Sequence, residues 1–423
     1  LLARVHALWG YGQLLRRTAA SVAPVLPLLG DASDELRRQT VKIIGDAATT
    51  GAKTAGSHLI PLLNDTSPRV RALTAIAVGK FQLPEAVAPL FVLAARDAAD
   101  SVVLRHAAVT GLTGCASSAE LAARRHDPSV PVRLAAVVAL RRQRAAEVAA
   151  FLSDADALVV QEAALAIHDE RGLPAALPAL AAVLERRPAN EFVARRAINA
   201  GLRLGTPEAA NRLLQTGLDA NARPELRTTA LTALKVWNTP PPLDVVDGYA
   251  RKFTPAAIAA VLTPRLADLL ALTDPALRTL AIEIMIAHQL PAAPDQVAAI
   301  VTNPAAADGL RAQSLRLMAG ADPKLPAMAR ALEAALAEDA PTALHRAGLE
   351  LLLGRDPARL VTVAAADLAR RSTAEKQQAL ALLARVARSD ADALLATQGQ
   401  ALVAAQATKE LQLDILEALR ARG

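Results

Sequence analysis

A similar short pattern recurs thirteen times along this chain of 423 residues. Each copy is marked by a polar residue, most often Arg, that follows an apolar residue. Twelve steps separate the first marked residue from the last, which gives a mean spacing of about 34 residues, and a period of about 20 to 50 residues is typical of stacked structural units. The marked residues are Arg4, Arg37, Arg71, Arg105, Arg133, Gln161, Arg195, Arg227, Arg278, Arg311, His345, Gln377 and Gln412.

Three further positions in each copy keep their chemistry. The side chain three positions after the marked residue is mostly small, and those four and seven positions after it are mostly aliphatic, as in Ala108, Val109 and Leu112. Together with the apolar residue before the mark, these positions lie on one face of an α-helix. The small residue lets a neighbouring helix approach closely. A helix of this kind cannot bury its apolar stripe alone, so the copies must stack.

A second, shorter apolar stretch lies between successive marked helices, as at residues 83–95, 174–184, 209–218 and 324–336. Pairs in which Ser, Thr or Asp precedes Pro predict helix starts. The side-chain oxygen accepts from free N–H groups of the first turn, and Pro has no N–H group, which would have no partner at that position in any case. These pairs are Ser67-Pro68, Asp127-Pro128, Thr206-Pro207, Thr254-Pro255 and Asp274-Pro275. The short steps between Arg105 and Gln161 leave little room for a first helix. The sequence therefore predicts an all-α fold, an α-solenoid of about 12–13 helical hairpins.

Composition supports this fold class and excludes several kinds of site. Hydrophobic residues make up 53% of the chain and aromatic residues 2%, a balance that suits helix packing better than sheet packing. Cys115 is the single cysteine, which excludes an intrachain disulfide, a multi-cysteine zinc site and a haem attachment motif in this sequence. No stretch approaches 18 uncharged apolar residues, so we predict no membrane insertion.

One step of the repeat is much longer than the others. It runs from Arg227 to Arg278 and contains three consecutive prolines at 240–242, which cannot be helical. An additional apolar helix is predicted near residues 255–272. We therefore predict an N-terminal array at 1–236, a Pro-rich break at 237–253 and a C-terminal array at 254–423, continuous with the first.

The repeated pattern resembles HEAT repeats, and its short units resemble the subtype named after phycobilisome lyase subunits. Residues 65–72 and 127–136 match the pattern, with Asp or Pro before the second helix and Val-Arg near its start. The resemblance implies a HEAT-like superhelix in which the marked Arg pairs with an Asp of the adjacent unit. Such pairs, repeated from unit to unit, form a ladder. Replacement of this Arg puts the ladder in doubt in four units, those of Gln161, His345, Gln377 and Gln412.

Residues 4–14 resemble the HEAT segment of large bacterial proteins in which a sugar-dehydrogenase-like propeller precedes the repeats and a c-type cytochrome domain follows them. Tyr11 departs from the aliphatic residue expected at its position. The resemblance implies a fragment of a larger exported redox protein, with a cytoplasmic location as the alternative. The lack of an initiating Met agrees with the expectation of a fragment.

Seven positively charged or titratable side chains between residues 124 and 144 form the best candidate for anion binding, with only Asp127 in opposition. Alternatively, these side chains lie along a solvated edge, and their aliphatic parts cover apolar surface. Nucleic acid is disfavoured, because no basic stripe follows the repeats and aromatic residues for base stacking are scarce. The arginines of this patch are Arg124, Arg125, Arg133, Arg141, Arg142 and Arg144.

Two polar residues interrupt the buried columns of adjacent units, His168 and Asn199. Buried polar groups need partners, so we expect them to hydrogen-bond to each other or to a turn carbonyl. The alternative is that Asn199 faces a groove and holds a partner's backbone. Trp9 and Trp237 are candidate interface anchors, with a packed terminus and a packed linker as the alternatives.

The sequence predicts no catalytic residue, cofactor or metal site. The seven histidines are never spaced as in helical zinc motifs, and a stable zinc site needs three or four convergent donors. We therefore predict a non-catalytic scaffold that docks a protein partner or neighbouring domains of the same polypeptide. The alternatives are a bilin-lyase-type HEAT subunit, and nucleic-acid or anion binding through residues 124–144.

Overall fold

The computed structural model describes residues 1–18, 21–48, 53–169, 172–290 and 294–422. Within these ranges the regular structure is α-helix and 3₁₀-helix. The β-structure there is an isolated antiparallel bridge between Leu243 and Ala250. No helix in the described ranges is both long and apolar enough to cross a membrane. The predicted all-α solenoid is confirmed.

The chain forms two compact units. The first contains Leu1–Leu204 and Pro241–Thr254, and the second contains Gly205–Pro240 and Pro255–Gly423. The segment Pro241–Thr254, which the sequence assigns to a Pro-rich break, thus lies with the first unit. The division into arrays at 1–236 and 254–423 stays a prediction.

The first unit consists of helices that pack as successive hairpins. Its α-helices are α1 (Leu2–Arg17), α2 (Asp34–Asp46), α3 (Lys53–Gly56), α4 (Pro68–Phe81), α5 (Val87–Asp97), α6 (Val102–Cys115), α7 (Ser118–Ala122), α8 (Val130–Gln143), α9 (Ala157–His168), α10 (Leu177–Ala182) and α11 (Glu191–Leu204). Its 3₁₀-helices are Ala23–Gly30, Ser57–Asn64, Pro84–Ala86, Ala123–His126, Ala146–Phe151, Pro174–Ala176 and Val183–Arg186.

The second unit continues the same pattern. Its α-helices are α12 (Pro207–Leu218), α13 (Pro224–Lys235), α14 (Ala259–Leu262), α15 (Leu266–Leu270), α16 (Pro275–Ala287), α17 (Pro294–Thr302), α18 (Asp308–Leu317), α19 (Pro326–Leu336), α20 (Thr342–Arg355), α21 (Pro357–Arg370), α22 (Thr373–Leu383), α23 (Ser389–Val403) and α24 (Gln412–Arg422). Its 3₁₀-helices are Thr263–Arg265, Met318–Gly320 and Lys409–Leu411.

The apolar stripe is buried in most marked helices, as its spacing predicts, but Ala3 and Ala7 of α1 and Leu416 of α24 are exposed. In α6 the stripe residues Leu104, Ala108, Val109 and Leu112 are all buried. Full burial of one Leu or Val side chain contributes about 1.5–3 kcal/mol. Stacking of hairpins is therefore the main source of stability.

Three of the five predicted helix starts are observed, at Pro68, Pro207 and Pro275. The start predicted at Asp127-Pro128 is wrong, because Asp127 accepts the Ser129 N–H in a turn and α8 begins only at Val130. No helix begins at Thr254-Pro255, because the Ala256 N–H donates to the Gly205 carbonyl and the chain stays outside a helix there.

Arg–Asp pairs connect neighbouring units. Arg37 donates through Nε and Nη2 to the carboxylate of Asp65, at 2.7 and 2.8 Å, and through Nη1 to the carbonyl of Asp31 in its own turn. Hydrogen bonds from Arg37 outweigh the effect of burial and lower the pKa of Asp65. The same pairing joins Arg4 to Asp31, Arg71 to Asp97 and Arg133 to Asp154.

The ladder changes its chemistry in the second unit. Arg227 and Arg311 each donate to the carbonyl ten residues earlier. His345 takes the same place: its Nδ1 lies 3.1 Å from the Ala335 carbonyl and its Nε2 lies 2.9 Å from Asp367. Two of the glutamines that replace the marked Arg also make polar contacts: Gln377 donates to Asp414, and Gln412 donates to the Ala407 carbonyl. Polar contacts thus persist at three of the four positions where the sequence put the ladder in doubt.

Candidate functional site

Three neighbouring helices of the first unit, α6, α8 and α9, leave one row of side chains each outside the core. The rows follow the i, i+4 spacing of a helix face, because the opposite face of each helix is buried in the stack. The rows are Val102 and His106 in α6, Leu134, Val138 and Arg142 in α8, and Leu158 and Glu162 in α9. Side by side, they line a depression with a volume of about 420 Å³.

The aliphatic part of this depression is open to solvent. Val102 is 70% exposed and Leu158 is 57% exposed, while Leu134 and Val138 are half-buried. Scattered exposed aliphatic residues are normal on a protein surface, whereas apolar residues gathered in one concave surface mark interaction sites.

A second depression of about 440 Å³ adjoins the first, and Val138 and Arg142 line both. It is more polar than its neighbour because three arginines surround it. Its described lining residues are Val138, Arg141, Arg142, Arg144, Ala166, Asp169, Gly172 and Leu173. We refer to the two depressions together as the α6–α8–α9 groove.

The structure divides the predicted arginine patch in two. Arg141, Arg142 and Arg144 line the groove, and the other three arginines lie elsewhere. Arg133 is bound in the ladder to Asp154. The remaining two arginines make local contacts: the Arg124 guanidinium lies 4.4 Å from the centre of the Phe91 ring, and Arg125 Nε donates to His126 Nε2 at 3.0 Å.

Two of the three groove arginines have neutral hydrogen-bond partners. Arg142 donates to the Thr110 hydroxyl at 2.9 Å, and Arg144 donates to the Gly172 carbonyl at 3.3 Å. Both partners are neutral, and neither arginine pairs with a carboxylate within the described ranges. Arg141 lies 3.7 Å from Glu162, and each of these side chains is about a third exposed.

A buried polar cluster supports one end of the groove. His168 Nε2 lies 2.8 Å from the side-chain oxygen of Asn199, which is the contact that the sequence predicts between these two residues. Asn199 is only 5% exposed. The side-chain oxygen of Asn199 is thus held by His168, and the alternative in which Asn199 holds a partner's backbone stays a prediction.

Asp169 links this cluster to the groove wall. Arg196 donates to both of its carboxylate oxygens, at 2.8 and 2.7 Å, and His168 Nδ1 lies 2.9 Å from Oδ1. Burial disfavours the charged carboxylate, but the hydrogen bonds from His168 and Arg196, with the positive charge of Arg196, lower the pKa of Asp169 to about 2. Asp169 therefore stays ionised and its charge is balanced by Arg196.

The segment Pro241–Thr254 covers the other side of His168. Arg251 forms ion pairs with Asp244 at 2.9 Å and Asp247 at 2.5 Å, and donates to the His168 carbonyl at 3.3 Å. His168, Asp244 and Asp247 could converge on a cation, but Arg251 already contacts both carboxylates. The arrangement is that of a charge-balanced structural cluster.

The two tryptophans have different surroundings. Trp9 is 48% exposed, donates to the Gln39 side chain at 2.9 Å and borders a depression of about 400 Å³ between α1 and α2. Trp237 is fully buried and donates to the Ala256 carbonyl at 2.8 Å. The prediction that Trp237 is an interface anchor is thus wrong, because its side chain is buried within the second unit. Trp9 stays a candidate.

The aliphatic half of the groove was not predicted from the sequence. A signal was present: the residue three positions before the mark is aliphatic in α6 and α9, as Val102 and Leu158, whereas the equivalent Val130 of α8 is not among the described lining residues. No local signal could place Arg251 beside His168, because 83 residues separate them in the chain.

These features define a repeat protein of stacked α-helical hairpins. The family model for HEAT repeats matches residues 22–113, and the described chain as a whole is an all-α solenoid.

Several solved helical-repeat structures are similar to the chain. One is the CpcE–CpcF complex of phycocyanin lyase from Nostoc sp. PCC7120, with 18% identity, a TM-score of 0.28, and coverage of 64% of this chain and 94% of that chain. Another is importin beta, with 13% identity, a TM-score of 0.46, and coverage of 95% and 59%. A third, from work on cadherin and β-catenin, has 12% identity, a TM-score of 0.37, and coverage of 98% and 96%. No curated protein is significantly similar to the sequence.

Proposed function

We propose that this chain is a non-catalytic docking module that binds a protein partner, or a neighbouring domain of the same polypeptide, in the α6–α8–α9 groove. The observation that carries this proposal is the exposure of Val102 and Leu158 on a concave surface whose rigid walls are stacked helices. Covering these side chains would remove apolar area from water and so favour association.

The chemistry of the groove supports binding over catalysis. Its described lining residues include no Ser, Thr, Cys or Lys side chain that could act as a nucleophile. The single thiol lies outside the groove, where burial raises the pKa of Cys115 to about 11. A thiol with that pKa stays protonated near neutral pH and is a poor nucleophile.

The proposal is tested by selection of a displayed random-peptide library on the full chain. We expect peptides that bind the unmodified chain and lose binding when Val102→Glu and Leu158→Glu place charges in the apolar depression. Val92→Glu is the matched control, because Val92 is an exposed valine of α5 outside the groove. No enriched peptide, or equal binding to the Val102→Glu/Leu158→Glu chain, would overturn the proposal.

We further propose, from the resemblance of residues 4–14, that the module belongs to an exported redox protein between a propeller and a cytochrome domain. The reading frame on either side of the segment tests this: a haem-attachment motif downstream and a propeller upstream would support it, and a start and a stop codon would contradict it. The alternative of a bilin-lyase-type subunit predicts a chromophore that stays bound after co-expression with a bilin.

A further inference from the structure

The α6–α8–α9 groove combines an apolar part with a cationic part. Arg105, Arg141, Arg142 and Arg144 line it, and among its described lining residues Glu162 and Asp169 are acidic. Asp169 is neutralised by Arg196, and within the described ranges Arg105 forms no ion pair. The groove therefore carries an excess of positive charge beside exposed aliphatic side chains.

The placement of these groups restricts what can fill the groove. A guanidinium has five N–H donors in a planar fork that matches a carboxylate. Arg142 donates to the Thr110 hydroxyl and lies 3.4 Å from His106 Nδ1, and Arg144 donates to the Gly172 carbonyl. Because Val138 and Arg142 line both depressions, the cationic part and the apolar part are continuous. A ligand that uses both must carry negative charge next to an apolar group.

We propose that the groove binds an acidic segment of a partner protein. Asp or Glu side chains of this segment contact Arg141, Arg142 and Arg144, and a neighbouring aliphatic side chain lies between Val102 and Leu158. This inference rests on the proposed docking function and adds the chemistry of the partner.

A nucleic acid fits the same groove less well. Its described lining residues include no Phe, Tyr or Trp side chain, and aromatic stacking platforms are what single-stranded nucleic acids use alongside backbone contacts. A phosphate backbone would also leave the aliphatic depression uncovered. An acidic peptide with aliphatic side chains accounts for both parts of the groove.

The test uses the most enriched library peptide and a version of it in which every Asp and Glu is replaced by Asn and Gln. We expect the enriched peptides to be acidic, and we expect the amide version to bind the full chain about tenfold or more weakly in fluorescence anisotropy. The affinity of the acidic peptide should fall as salt is raised, because exposed charges are screened.

Two double variants with equal changes in charge locate the effect. Arg142→Gln/Arg144→Gln should weaken binding of the acidic peptide about tenfold and leave the affinity for the amide version unchanged. Arg124→Gln/Arg125→Gln, outside the groove, should bind both peptides as the unmodified chain does. Circular dichroism establishes that each variant is folded.

Four outcomes would overturn the inference. Enriched peptides without an acidic bias, or an amide version that binds equally well, would contradict the acidic partner while the docking function stands. Failure to enrich any peptide would contradict both. Tight binding of a single-stranded RNA oligonucleotide that depends on Arg142 and Arg144 would replace the acidic peptide with nucleic acid.

Discussion

At the scale of single residues, the Arg–Asp ladder shows why one column of the repeat is so regular. Arg133 contacts the Asp127 carbonyl in its own turn and both oxygens of Asp154 in the next unit. Each such arginine thus connects two turns that would otherwise meet through water. The strength of a pair depends on its burial, since exposed ion pairs contribute only about 0–1 kcal/mol.

We predict that Asp154→Ala destabilises the protein by about 2–3 kcal/mol. The Asp154 side chain is 2% exposed, and its removal leaves the half-buried Arg133 guanidinium without a counter-charge. Urea denaturation followed by circular dichroism measures the change.

Arg4→Ala is the matched control, because Arg4 belongs to the same ladder but is 56% exposed. Removal of the Arg4 side chain should lower the free energy of unfolding by less than about 1 kcal/mol. Equal effects of the two substitutions would show that burial does not set the strength of the ladder.

Asp169 provides a prediction about pH. Its pKa in the folded chain, about 2, lies below the ordinary carboxyl value of about 3.9. The folded state therefore binds fewer protons than the unfolded state, so Asp169 contributes about 2 kcal/mol of stability above about pH 4, and this contribution is lost as pH falls towards about 2. Asp169→Asn removes it.

Urea midpoints of the unmodified chain and the Asp169→Asn chain, measured from about pH 6 to about pH 2.5, test this expectation. The unmodified chain should be more stable near neutral pH, and the difference should narrow in acid. A difference that stays constant with pH would show that Asp169 is not ionised in the way proposed.

At the scale of helices, close contact between α4 and α6 depends on glycine. A Cβ atom at Gly111 would lie 2.6 Å from the Ala75 carbonyl oxygen and 2.7 Å from a methyl carbon of Leu90. Backbone of one helix therefore lies directly against the next. The small residue three positions after the marked residue predicts close approach of a neighbouring helix, and Gly111 adds a second position with this role.

We predict that Gly111→Ala destabilises the chain by about 1–3 kcal/mol, because the added methyl group forces two packed helices apart. Gly10→Ala in α1 is the control, since no described atom lies within 4 Å of a Cβ there. That change should stabilise the chain by about 0.5–1 kcal/mol through helix propensity. Thermal and urea unfolding measure both, and a stabilising Gly111→Ala would refute the packing argument.

The helices themselves illustrate what periodicity can predict. The buried stripe follows from spacing alone, so helices such as α6 and α12 were predictable. The first helices of the short units were not predictable in their detailed form: Ala146–Phe151 is a 3₁₀-helix, and Ser118–His126 begins as α7 and ends as a 3₁₀-helix. In stretches this short, packing against neighbours decides the geometry, and local propensity has little influence.

At the scale of the whole molecule, the stacked architecture was predictable because each unit repeats the same chemistry. The placement of Pro241–Thr254 was not, because it depends on contacts that span long stretches of chain, such as Arg251 with the His168 carbonyl. Half of the candidate groove was foreseen through Arg141, Arg142 and Arg144. Its aliphatic half was not, since residue type does not distinguish exposed Val and Leu from buried ones, and only the position of Val102 and Leu158 relative to the marked residue carries a signal.

The segment Pro241–Thr254 should stabilise the helices that it covers and leave distant repeats unaffected. Arg251→Ala would remove the guanidinium that forms ion pairs with the carboxylates of Asp244 and Asp247, both nearly buried. Breaking a buried pair of this kind costs about 3–5 kcal/mol. Since stacked repeats interact mainly with their nearest neighbours, we expect faster amide hydrogen exchange in α9 and α11, with little change in α22 and α24.

Hydrogen–deuterium exchange with mass spectrometry on the full chain resolves these helices separately. Arg330→Ala is the control, because the Arg330–Asp295 pair of the second unit is largely exposed and its loss should leave exchange in α9 and α11 unaltered. Uniformly faster exchange after Arg251→Ala would mean that the chain unfolds as a single cooperative body. Unchanged exchange in α9 and α11 would mean that the segment covers His168 without stabilising its helices, and the charge-balanced cluster would then contribute nothing to the fold.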